Sequence, residues 1–174
     1  KQVKADFYMQ SCVESIERND DGSLRVSFSK KNKAQTVDAD MVLVATGRAA
    51  NTEGLNLEAV GVEYGKTGIV VDDNMLTSVG NIYAIGDVNG RCMLAHAATM
   101  QGFRAVNHIL GITDGIRFDV MPSAVFTTPE AASVGVSEDY CKEHGISYEC
   151  RKAFHRANGK ALAMNETEGL LKLI

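Results

Sequence analysis

Apolar and polar residues alternate along the first forty positions, and then the alternation stops. Between Phe7 and Arg18 the two kinds take turns, with Val13 and Ile16 on opposite faces. The turn sequence NDDG at 19–22 leads into SLRVSF at 23–28, which alternates cleanly. Two alternating runs around a polar, glycine-bearing turn predict a β-hairpin. KKNKAQ at 30–35 predicts the next turn, and TVDAD at 36–40 a third strand. The lysines at 30, 31 and 33 read as a solvated loop rather than as an anion site.

MVLVA at 41–45 is a continuous apolar run, the pattern of a strand buried on both faces, and it ends at Thr46-Gly47-Arg48. A short helix is expected around 57–60, then a glycine-rich stretch to Gly68, a short strand GIVVDD at 68–73 and a connecting turn at 74–80. IYAI at 82–85 predicts a second buried strand. Beyond a loop at 88–92, Leu94, Ala98, Ala105 and Ile109 recur at helical spacing, and Ala97, Val106 and Leu110 widen the stripe. Gly111 stops that helix. Strand, loop and small-residue helix in this order predict close helix–sheet packing in an α/β sheet.

ITDGIRFDVMPS at 112–123 has no strong period and carries one of the two prolines, which suits a crossing between domains. After it come a strand, a loop, a helix capped by Ser137 with acids in its first turn, and another strand. KALAMNETEGLLKLI at 160–174 predicts two strands around NETEG. The first residue is not Met and the last falls within a strand pattern, so both ends read as cut edges. The chain shows no internal repeat and no low-complexity tract.

Composition narrows the classes. The 174 residues suit one domain or pieces of two, and 45% hydrophobic with 23% charged is the balance of a soluble globular protein. A net charge of −4 offers no nucleic-acid footprint. No run of about 18 apolar residues predicts a membrane span, and the N-terminus has no apolar signal core. Cys12, Cys92, Cys141 and Cys150 have neither the spacing of a redox pair nor that of a zinc knuckle, so no metal site is expected. Reduced thiols fit a cytoplasmic location.

The chemistry concentrates at NIYAIGDV, residues 81–88. A carboxylate at the C-terminal end of a buried strand stands where α/β sheets bind ligands. Burying Asp87 unpaired costs too much, so it must accept strong hydrogen bonds. Gly86 leaves the main chain approachable, and the helix beginning near Leu94 offers free N–H groups and a positive dipole end. Acceptor and dipole together suit a nucleotide-like cofactor. On spacing alone, a ligand role and a turn role for Asp87 stand level.

The segments around it carry a resemblance. TSVGNIYAIGD at 77–87 resembles the second flavin-binding motif of the pyridine nucleotide-disulfide oxidoreductases. VLVATGRAANTEGLNLEAVGV at 42–62 is similar to the segment that leaves that family's NAD domain and re-enters its FAD domain. MLAHAATMQG at 93–102 is most similar to the members that oxidise dihydrolipoamide. PSAVFTTPEAASVG at 122–135 resembles the opening of the family's dimerisation domain, and FHRANGKALAMNETEGLLKLI at 154–174 continues it. The likeness covers nearly the whole chain, and the order and spacing of the motifs make it specific.

The resemblance implies a mixed α/β and α+β fold. Residues 1–45 would be the β-meander and last strand of an NAD-binding domain, and 46–118 the second part of a Rossmann-like FAD-binding domain. Residues 119–174 would begin an α+β dimerisation domain, through which the parent forms a homodimer. Asp87 would hydrogen-bond the ribityl hydroxyls of FAD, beside Gly86, and Met93, Leu94, Ala95 and His96 would line the flavin. Gly47 and Val13 would contribute to the NAD side. Arg48 reads as a partner for a surface acid, and His96 as a backbone contact rather than a catalytic base.

The implied activity is oxidation of dihydrolipoamide, with electrons passing through a disulfide and FAD to NAD, on a lipoyl-bearing protein of a 2-oxo acid dehydrogenase or glycine cleavage complex. A glutathione- or mercuric-reductase-like activity, or a non-catalytic dimerisation or binding module, are the alternatives. The family's G-x-G-x-x-G turns, its cysteine pair with four intervening residues and its His-Pro acid/base dipeptide do not occur in this sequence. No catalytic residue is therefore assigned. The chain reads as an internal piece, expected to be inactive alone, to bind free FAD weakly and to self-associate through exposed edges.

Overall fold

The computed structural model describes residues 4–174; the first three residues of the strand-like N-terminus lie outside them. The chain divides into two units, one ending at Gly47 and one spanning Arg48–Ile174.

The first unit holds an antiparallel meander of β1 (Ser11–Arg18), β2 (Leu24–Lys30) and β3 (Lys33–Ala39), in that spatial order. Its first turn forms as the sequence predicts. Gly22 N–H donates to the Asn19 carbonyl at 3.0 Å, and Asp21 Oδ1 accepts from Ser23 N–H at 2.9 Å. The second turn is tighter than expected. Lys31 and Asn32 both have positive φ, 51° and 60°, as a two-residue type I′ turn requires, so β3 starts at Lys33 rather than Thr36. Val13 stands opposite Phe28, and the register slips between Val13 and Ser15, a bulge centred on Glu14. Phe28 is buried, with Tyr8 edge-on to it at 4.9 Å.

Residues 41–50 correct one expectation. The apolar run 41–45 forms no strand, and Met41 and Leu43 are 85% and 88% exposed. A strand exists only through a ladder partner, and no described strand pairs with this run.

The second unit opens with α1 (Leu57–Val60), where a helix was expected, followed by the two-residue hairpin strands β4 (Tyr64–Gly65) and β5 (Gly68–Ile69). Leu57, Val62, Ile69 and Ala84 form a buried cluster, with Val71, Val79, Ile82 and Val88 against it. Residues 82–85 are not the buried strand that their apolarity predicts. They make a single antiparallel bridge, Tyr83 to Leu76, and Ile85 is 45% exposed. Their backbone bonds go instead to the preceding loop, Ala84 N–H to the Met75 carbonyl at 3.0 Å. GIVVDD likewise contributes only Gly68–Ile69 to a strand.

A 3-10 turn, Gly86–Asn89, leads to α2 (Ala95–Ile109), which Gly111 follows in the left-handed conformation, φ 69°. The helix is where its period places it, but its buried line is Ala97, Gln101 and Ala105, while Val106, Ile109 and Leu110 are exposed. The expected stripe is thus rotated, with a polar residue at its centre. After the helix, residues 111–118 are held by Arg104. Its guanidinium pairs with Asp114 at 2.8 Å and donates to the carbonyls of Asp73 and Ile116.

Beyond this segment, β6 (Ser123–Val125) pairs antiparallel with β7 (Ala131–Ser133), and β8 (Arg151–Phe154) with β9 (Leu170–Leu173). Between them α3 (Glu138–Glu143) is capped as expected, Ser137 Oγ accepting from Tyr140 N–H at 3.1 Å. The segment KALAM, expected as a strand, is instead α4 (Gly159–Ala163). Asn158 Oδ1 accepts from the N–H groups of Lys160 and Ala161, and that cap, with helix-forming Lys, Ala and Leu, outweighs the alternating pattern. Helices and sheets are mixed throughout, and every strand pairing among the described residues is antiparallel.

Candidate functional site

Local geometry brings Asp87 and the start of α2 together. The chain reaches Gly86 extended and turns there with φ 76°, and a Cβ at that position would stand 3.3 Å from the Ala98 Cβ. Gly86 therefore sits directly on the end of the first turn of α2. The 3-10 turn ends at Gly90, whose φ is 66° and whose hypothetical Cβ would lie 1.7 Å from the Thr67 carbonyl oxygen. At Gly68 a Cβ would meet the Val88 carbonyl oxygen at 2.5 Å. Two glycines on different segments thus let the 67–68 hairpin turn press against 88–90, where any side chain would force the backbones apart.

Asp87 remains accessible, its side chain 44% exposed. Oδ2 lies 3.4 Å from Arg48 Nη1, and Arg48 is itself 79% exposed, so this is a loose surface pair that contributes little to stability. The acid expected to partner Arg48 is Asp87 itself. The α2 N-terminus has Leu94 at its cap position with no side-chain cap bond and no acid in its first turn. The N–H groups of the exposed Ala95 and His96 and the positive dipole end therefore stay available to an electron-rich partner.

The other predicted positions distribute as follows. Met93 and Leu94 are half-buried, and Ala95 and His96 exposed. The His96 ring is engaged, Nε2 lying 2.8 Å from the Pro122 carbonyl oxygen. Gly47, with φ 87°, and Val13, on β1 and 58% exposed, belong to the first unit. A cleft of about 610 Å³ lined by Asn19, Asp21, Arg25 and Asp38 contains none of the candidate residues.

Asn89 and Gln101 escaped the sequence reading. Gln101 is 1% exposed, and its Oε1 accepts from Gly86 N–H at 2.7 Å and from Asn89 Nδ2 at 2.8 Å. Asn89 Nδ2 also donates to the Ala84 carbonyl at 2.9 Å, and Asn89 Oδ1 accepts from Arg91 N–H at 3.0 Å. Leaving such buried groups unpaired costs about 1–3 kcal/mol each, so this pair is a condition of the turn. One signal was available: a Gln flanked by Ala at both i−4 and i+4 on one helical face.

Among the described residues no group of three or more His, Cys, Asp or Glu is placed to hold a metal ion. The four cysteines are free. No described helix is long and apolar enough to cross a membrane.

Comparison with known proteins gives this arrangement a setting. Residues 1–102 match the model of the pyridine nucleotide-disulphide oxidoreductases, and 121–174 match the dimerisation domain of the same group. A dihydrolipoyl dehydrogenase of Bacillus subtilis is 41% identical over 100% of this chain and 37% of its own length. The mitochondrial dihydrolipoyl dehydrogenase 1 of Arabidopsis thaliana is 40% identical over 98% of this chain and 34% of its own. Among solved structures, LpdA from Mycobacterium tuberculosis superposes with a TM-score of 0.79 at 31% identity, over 93% of this chain and 35% of that one. The HOCl-induced flavoprotein disulfide reductase RclA from Escherichia coli gives 0.71 at 28%, over 92% and 37%. The chain spans about a third of the length of the relatives it matches.

Proposed function

This chain belongs to the pyridine nucleotide-disulphide oxidoreductase family, and we propose that it is the part of a dihydrolipoyl dehydrogenase that forms one wall of the FAD site. One observation carries the reading: a solvent-accessible Asp87 held on the same turn-and-helix unit as the uncapped N-terminus of α2.

The residues present fit a flavin nucleotide. The Asp87 carboxylate has acceptor capacity beyond its single loose contact with Arg48, which suits the vicinal hydroxyls of a ribityl chain. Gly86, without a side chain, lets the turn that carries Asp87 pack against α2, and Met93 and Leu94 offer half-buried apolar surface. Bound FAD supplies the electron transfer between a disulfide and NAD. The protein's own part would be to bind and orient: Asp87 would accept from hydroxyls, and the N–H groups of the exposed Ala95 and His96 would stand near negative charge on the flavin, where the helix dipole favours it. His96, whose Nε2–H donates to the Pro122 carbonyl, is assigned no proton transfer in this reading.

Residues 1–45 are read as the tail of an NAD-binding domain, 46–118 as the second part of the FAD-binding domain and 119–174 as the start of the dimerisation domain. Gly47 and Val13 are assigned to the NAD side. A homodimer through 119–174, a lipoyl-bearing protein as partner and a cytoplasmic location complete the proposal. A second reading, a flavin disulfide reductase of other specificity, is favoured by the likeness to RclA.

The test is reduction of NAD by dihydrolipoamide in a full-length protein carrying this segment, set against its Asp87→Ala variant. Turnover in the parent, with loss of bound flavin absorbance in the variant, is expected. Turnover with glutathione disulfide and none with dihydrolipoamide selects the second reading, and full flavin retention in Asp87→Ala removes Asp87 from the site. The 174-residue chain alone, without a paired cysteine nucleophile, is expected to give no turnover.

A further inference from the structure

Asp87 and the first turn of α2 are separate in sequence, and a ligand that used both would need their spacing constant. The extended residues before Gly86 do not supply this, since they make only one bridge. The bonds that cross between turn and helix do. Gln101, buried in the middle of α2, takes Gly86 N–H and Asn89 Nδ2 on one oxygen. Asn89 passes the constraint on to Ala84 before the turn and to Arg91 after it. The close approaches at Gly68 and Gly90 hold the far side of the same turn. Asp87 lies between two residues whose amides are fixed by one helical side chain.

We propose that Gln101, acting through Asn89, is the positioning residue of the flavin site: it locks the Gly86–Asn89 turn to α2, so that the Asp87 carboxylate and the α2 N–H groups move as one rigid unit. This rests on the flavin reading for its purpose, while the lock itself is testable without flavin. Gln101 bonds the Gly86 N–H but neither the Asp87 carboxylate nor the N–H groups at the start of α2. An acceptor at this position is what matters, not the amide as such, because both incoming groups are donors.

Two variants of the full chain separate positioning from packing. Gln101→Met keeps the length and bulk of the side chain but removes the acceptor oxygen. Gln101→Glu retains an acceptor oxygen in either protonation state. Amide hydrogen exchange, resolved by NMR, is expected to accelerate about tenfold or more at Gly86 in Gln101→Met. The amides of Val62 and Val70, bonded elsewhere in the same unit, should stay within about twofold of the parent. Gln101→Glu is expected to restore most of the Gly86 protection. The proposal is overturned if Gly86 exchange is unchanged in Gln101→Met, if Val62 and Val70 accelerate equally with it, or if Gln101→Glu is no better than Gln101→Met. Asp87→Asn keeps the lock and should leave Gly86 exchange unchanged. Its flavin affinity tests the flavin reading separately, so failure of that reading and failure of the lock are distinguishable.

Discussion

Two stretches of the second unit, 57–105 and 123–174, are built on different principles. In the first, Met75, Ala97 and Gln101 are buried to 1% or less, and glycines let backbones touch. In the second, Cys141 is the one buried core residue among those described, and Phe126, Leu171 and Leu173 are 86%, 66% and 69% exposed. Its order comes from local devices: the Ser137 and Asn158 caps and the Glu138–Lys172 bond at 2.8 Å. A stretch held by interlocked packing responds sharply to added or removed atoms. A stretch held by caps, two short ladders and ion pairs responds weakly to volume and more readily to charge.

The largest difference should come from glycine replacement. Gly90→Ala drives a methyl into the Thr67 carbonyl and should cost more than about 3 kcal/mol, whereas Gly135→Ala, with φ 76° but open space around it, should cost only the conformational strain of about 1 kcal/mol. Urea unfolding of both variants measures the gap, and equal losses would erase the distinction. Next comes truncation of leucines. Leu57→Ala in the buried cluster should lose about 2–3 kcal/mol, and Leu171→Ala, two-thirds exposed, less than about 0.5 kcal/mol. Ser137→Ala should lose about 1 kcal/mol through the α3 cap, with helical signal lost at 138–143 and none at 95–109.

The smallest effects are electrostatic and are read from pH. Lys172 holds the Glu138 carboxyl below its ordinary value of 4.5, and Glu138 in turn holds Lys172 above 10.5. A lowered acid stabilises the fold above its unfolded value and loses that contribution as pH falls through the folded one. A raised lysine does so below its unfolded value and loses it as pH rises through the folded one. The α3–β9 tie should therefore weaken at both extremes, and Lys172→Met should abolish both losses. Just beyond the packed stretch, the hydrogen bond from Asn107, with Ile116 N–H and the Arg104 guanidinium, lowers Asp114 from 3.8. Only acid should loosen that segment, and Asp114→Asn should remove the dependence. Chemical-shift titration of residues 112–116 and 170–173 checks both.

The local rules in the sequence were legible where a few neighbouring residues decide the outcome. The meander followed from alternation and turn chemistry, α2 from its period with Gly111 as its stop, and α3 from Ser137 with Glu138 and Asp139. KALAM misled because alternation over five residues cannot distinguish a strand from a capped helical turn, and the Asn158 bonds decided it. MVLVA and IYAI misled because apolarity reports a capacity for burial, while a strand needs a partner that pattern does not supply.

By itself, then, the sequence determined the meander, α2, α3 and the motif order that marks the family, because propensity, capping and motif spacing act over a few residues. Only tertiary structure decided that the buried line of α2 runs through a glutamine, that Arg48 meets Asp87, and that Gly68 and Gly90 are contact points. Those facts depend on atoms brought together from segments 12 to 39 residues apart, and hydrogen-bond satisfaction and steric exclusion have no period in the chain.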